Sequence, residues 1–115
     1  MAVTIYHNPR CSKSRQTLSL LEEKGIKPEI IEYLQSPPSP DDLKNILKKL
    51  GLSARELMRK NEDAYKENGL DDDSLSEDDL INAMINNPIL IERPIVLSND
   101  MAAIGRPPEN ILEII

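Results

Sequence analysis

Val3-Thr4-Ile5-Tyr6-His7-Asn8-Pro9-Arg10-Cys11-Ser12-Lys13-Ser14-Arg15-Gln16-Thr17-Leu18 is the stretch on which the fold turns. Val3 to His7 is a short apolar run of strand type. From Ser12 to Lys24 the spacing becomes helical, with Leu18 and Leu21 on the face beyond Ser14. Gly25 ends that helix, and Glu29 to Leu34 reads as a second strand. Strand, helix and strand of these lengths form a βαβ unit, which crosses over right-handed into a parallel pair. Cys11, the single cysteine of the chain, falls at the junction of the first strand and the helix. A thiol at the first turn of a helix faces backbone N–H groups that lack an intrahelical partner, and the positive end of the macrodipole. Both favour the thiolate. Arg10, Lys13 and Arg15 add cationic charge nearby. The position marks a nucleophile; a buried structural thiol is the competing reading.

Downstream, the turn-rich Gln35-Ser36-Pro37-Pro38-Ser39-Pro40 gives way to a helix. Ser39 caps it, Pro40 takes the first helical position, and Leu43, Ile46, Leu47 and Leu50 form its apolar stripe up to Gly51. Ser53 with Glu56, and Ser76 with Asp79, open two further helices, the second stopped by Pro88. The Asp71-Asp72-Asp73 run between them reads as a solvated loop. Ile95-Val96-Leu97, a turn at Ser98-Asn99-Asp100, and Met101 to Ile104 predict a hairpin, and Arg106-Pro107-Pro108 starts a final helix through Ile115. The order is β-α-β, a helical block over residues 39–91, then β-β-α, within one domain spanning residues 1–115.

The bulk numbers exclude several classes. At 115 residues the chain can bury a core without staples, and one cysteine cannot close an internal disulfide. Any disulfide it makes is with another molecule. No run approaches the ~20 apolar residues of a membrane span, and no signal-peptide pattern opens the sequence. A cytoplasmic location without membrane association is the expectation. A formal net charge of −6, with three tyrosines as the only aromatics, argues against nucleic-acid binding.

The connectivity is that of a thioredoxin-like core, a mixed four-stranded sheet with helices inserted between its halves. In such a core the first strand–helix junction meets the turn before the third strand, so Cys11 and Arg93-Pro94 converge, with Pro94 a candidate cis site. The motifs Ile5-Tyr6-His7-Asn8-Pro9-x-Cys11-x-x-Ser14-Arg15, Tyr33-Leu34-x-x-Pro37-Pro38 and Leu57-x-Arg59-Lys60-Asn61 go further. With Asn87-Pro88-Ile89-Leu90-Ile91-x-Arg93-Pro94-Ile95-Val96 and Gly105-Arg106-Pro107 they run collinearly along nearly the whole chain. In these the chain resembles the glutaredoxin-coupled arsenate reductase family.

That resemblance implies an oxidoreductase in which Cys11 attacks arsenate while Arg59, Arg93 and Arg106 hold the oxyanion. It also implies glutathione as co-substrate, glutaredoxin as the partner that resolves the mixed disulfide, and neither a bound cofactor nor a metal. His7 and Ser14 match positions flanking the nucleophile: His7 in a supporting role, Ser14 as a donor toward the sulfur. The chemistry agrees, because an anion resists thiolate attack until guanidinium groups with paired planar donors neutralise it. Arg10, Lys13 and Arg15 are placed to attract glutathione's carboxylates. Two other functions fit the same fold: a glutathione-dependent thiol reductase of another substrate, and a regulator resembling the Spx proteins. The latter usually carry a Cys-x-x-Cys switch, whose second position is Ser14 here.

Overall fold

A computed structural model describes residues 2–115. They form two compact units, one comprising the residues up to Ser36 together with Arg93–Ile115, the other Pro37–Glu92.

The first unit is built on a four-stranded sheet of order β2-β1-β3-β4. Its strands are β1 (Val3–His7), β2 (Glu29–Glu32), β3 (Ile95–Ser98) and β4 (Met101–Ile104). β1 runs parallel to β2, with Ile5 opposite Ile30, and antiparallel to β3, with Ile5 opposite Val96. The parallel pair requires a crossover, and α1 (Ser12–Glu23) supplies it. Alternation along β1 sends Val3 and Ile5 into a core with Leu21 of α1, Val96, Ile111 and Ile114. Asn99 and Asp100, at φ of 54° and 63°, make the tight β3–β4 turn with both central residues left-handed, as a right-twisted hairpin prefers.

The chain ends in a 3-10 helix, Pro108–Glu113, where the sequence pattern suggested an α-helix. The reason is local. Pro107 and Pro108 have no N–H, and the segment closes with short-range bonds, Asn110 N–H to Pro107 O and Ile114 N–H to Ile111 O. β2 also stops at Glu32, two residues short of the expected Leu34. Gln35 N–H and Ser36 N–H both donate to Glu32 O, which turns the chain there.

The second unit is helical: α2 (Pro40–Leu50), α3 (Ala54–Leu57), α4 (Asp63–Glu67), α5 (Glu77–Asn86) and a 3-10 turn at Pro88–Leu90. Leu43, Ile46 and Leu47 of α2, Leu57 of α3, and Leu80, Ile81 and Met84 of α5 are buried, and α5 packs on both α2 and α3. Met58 and Ile91 form an antiparallel bridge, with Arg59 N–H donating to Leu90 O and Glu92 N–H to Leu57 O. That bridge fixes the backbone from which Arg59 projects.

Candidate active site

Cys11 is the N-cap residue of α1, extended at φ −93° and ψ 123°. Its carbonyl accepts Arg15 N–H at 3.0 Å and its own N–H donates to Asn8 O at 3.0 Å. No side chain caps the helix, so the first amides of α1 keep their donors for whatever lies at the helix start. The residue is buried, 9 % exposed.

The loop carrying Cys11 is braced at three points. Ser14, fully buried, accepts Asn8 N–H at 3.0 Å and shares a hydrogen with His7 Nδ1 at 2.6 Å. Arg15 Nη1 donates to Pro9 O at 2.8 Å. The Ser14 hydroxyl therefore lies between the His7 ring and the Asn8 amide, and joins the end of β1 to the first turn of α1. Burial lowers the pKa of His7 below its usual 6.5, with Arg15 acting in the same direction and Glu32 opposing. The fold therefore disfavours the imidazolium form of His7.

Charge reaches the sulfur from the other end of the chain. Arg106 Nη1 stands 3.9 Å from Cys11 Sγ, a contact between residues 95 apart in sequence, and also approaches Arg93 O at 3.5 Å. The Arg93–Pro94 peptide is cis, as expected, and so is Arg106–Pro107, for which the sequence held no separate sign. Arg93 buries its Nε and Nη1. Cys11, Arg106 and the Arg93 backbone thus share one corner of the sheet unit. Arg59 stands in the helical unit, where Glu62 Oε1 lies 3.3 Å from its Nη1 and Glu92 Oε1 3.8 Å from its Nε. The i,i+3 spacing of Arg59 and Glu62 was a legible sign of that pairing; Glu92 gave none.

Alongside α1, a cleft of about 550 Å³ is lined by Ser12, Lys13, Arg15 and Gln16 on one side and Pro107 and Glu109 on the other. It begins at the immediate neighbours of Cys11 and Arg106. Among the described residues no group of three His, Cys, Asp or Glu side chains is placed to hold a metal ion. No helix among them is long and apolar enough to cross a membrane. A thiol at an uncapped helix start with a guanidinium against it is an arrangement that favours an anion at that point.

Residues 6–114 match the family model described as the ArsC family. The chain is 60% identical over 114 residues to the uncharacterized protein YfgD of Escherichia coli K12, covering 98% of this chain and 96% of that one. It is 57% identical over 110 residues to an arsenate reductase of Neisseria meningitidis serogroup A, covering 95% and 94% of the two chains. The structure superposes on the arsenate reductase from Vibrio cholerae with a TM-score of 0.97 at 54% identity, over 100% of this chain and 98% of the other.

Proposed function

Because this chain belongs to the ArsC family, we propose that it reduces arsenate to arsenite with glutathione and glutaredoxin as the source of electrons. The Cys11 thiolate attacks arsenic, a sulfur–arsenic bond forms, and an arsenate oxygen leaves as water after protonation. Glutathione thiolate then attacks the Cys11 sulfur. A Cys11–glutathione disulfide forms, and the electron pair of the broken sulfur–arsenic bond stays on arsenic, taking it from As(V) to As(III). A glutaredoxin thiol attacks the glutathione sulfur, carries glutathione off as a mixed disulfide and returns Cys11 as thiolate. One cysteine suffices because the second and third thiols arrive from outside.

The observation that carries the reading is the Arg106 guanidinium 3.9 Å from a sulfur at an uncapped helix start. Arg106 holds the developing oxyanion charge, and Arg93 and Arg59 are the further cations the family pattern supplies for it. Lys13 and Arg15, on the cleft beside α1, offer glutathione's carboxylates a landing site. Ser14, engaged by His7 and Asn8, supplies no resolving thiol, which removes the intramolecular switch a Spx-like regulator would use.

The test is NADPH oxidation coupled through glutathione reductase, with arsenate, glutathione and glutaredoxin each omitted in turn. Cys11→Ser abolishes turnover while leaving the thermal midpoint within a few degrees of wild type. Arsenate-independent turnover on small disulfides would instead identify a thiol reductase of another substrate. Arg59→Ala and Arg93→Ala raise KM for arsenate or lower kcat by an order of magnitude or more, since hydrogen bonds to charged groups contribute about 1.5–3 kcal/mol each. Equal losses of activity and of stability across the two variants would return them to a purely structural role.

A further inference from the structure

Thr17 is fully buried, and its single hydroxyl hydrogen is shared between two carbonyls, Lys13 O at 2.8 Å and, as the longer arm, Gly105 O at 3.3 Å. The first is a back-bond within α1. The second crosses to the residue that immediately precedes Arg106, 88 positions away in sequence. Gly105 lies so close that a Cβ there would press into the Thr17 side chain and sit 2.9 Å from Pro94 Cγ. Its N–H donates to Pro94 O at 2.9 Å. Helix α1, the Arg93–Pro94 turn and the end of β4 therefore meet at one point, and Arg106 departs from it. Cys11 and Thr17 ride on the same helix, about 9 Å of rise apart. Whatever ties Gly105 to α1 sets where the Arg106 side chain begins relative to the sulfur.

We propose that Thr17 is a positioning residue, whose bond to the Gly105 carbonyl fixes the reach of the Arg106 guanidinium to Cys11 Sγ. Its consequence for turnover rests on the oxyanion-binding role given to Arg106 above; the placement of charge beside the sulfur does not.

The test compares alkylation of Cys11 by anionic iodoacetate and by neutral iodoacetamide at low salt. A guanidinium beside the sulfur favours the anion, so the ratio of the two rates reads the cation's position without arsenate or glutathione. Arg106→Ala lowers this ratio. Thr17→Val, similar in shape but without the hydroxyl, lowers it several-fold toward the Arg106→Ala value, and Thr17→Ser retains it. The double variant falls no further than Arg106→Ala alone. Thr17→Ala carries the same expectation should valine prevent folding. A hydroxyl-free variant with the wild-type ratio overturns the proposal. So does an equal drop with and without Arg106, or a ratio indifferent to Arg106→Ala. In the coupled assay the same substitution raises KM for arsenate several-fold and changes kcat less. A ratio that depends on Thr17 in a protein inert toward arsenate would defeat the functional reading and leave the positioning role standing.

Discussion

His7 ends β1 with a ring whose protonation the fold opposes. Its ring is buried, bonded to Ser14, and held below its usual pKa chiefly by desolvation. Below about pH 6.5 an unfolded imidazole takes up a proton that the folded one refuses, so stability falls as pH drops from there until folded His7 protonates too. His7→Asn keeps a polar group beside Ser14 and removes this titration. It flattens the pH dependence of the urea midpoint below about pH 6.5. Glu56 and Asp72, whose pKa values are lowered by hydrogen bonds from Ser53 and Ser74, act further down the acid range. A slope unchanged in the variant would mean that His7 protonates equally well in both states. At this scale the sequence was uneven. Cys11 was legible because a lone thiol fell where periodicity changed from strand to helix. Thr17 and Gly105 were not, because a threonine in a helix and a glycine after a strand look ordinary until the carbonyl of one meets the hydroxyl of the other.

The elements were legible where side chains speak to their own backbone. Ser53 with Glu56 and Ser76 with Asp79 form complete capping boxes, and Ser39 accepts Asp42 N–H at the start of α2. These contacts are separated by three residues, so a sequence displays them whole. Gly51, left-handed at φ 71°, ends α2 for the same local reason. The short α4 gave no such sign: Glu62 stands at its cap without a side-chain capping bond, and what steadies the segment comes from elsewhere. Arg55 donates to the Tyr65 hydroxyl and to the carbonyls of Leu70 and Asp72, so a helix and the following loop depend on a side chain outside them. Ser76→Ala removes one half of the α5 box. It costs about 1 kcal/mol, read as a lower urea midpoint with an unchanged slope. A loss well above that would mean that Ser76 carries more than its cap.

For the molecule as a whole, having one thiol is a constraint with a measurable outcome. Incubation with oxidised glutathione yields a protein carrying a single glutathione by mass, and Cys11→Ser takes up none. Reduced glutaredoxin strips the adduct faster than glutathione alone if the proposed last step is right; equal rates would remove glutaredoxin from the cycle. The β-α-β and β-β halves of the sheet were readable because each is contiguous, a parallel pair joined by a helix and an antiparallel pair joined by a tight turn. Their pairing along β1 and β3 is what places Arg106 against Cys11, a contact spanning 95 residues. During synthesis, at ~5–20 residues per second, the sulfur leaves the ribosome roughly 5–20 s before its guanidinium does. The nascent polypeptide therefore carries Cys11 without its guanidinium neighbour, and the contact can form only once Arg106 has emerged.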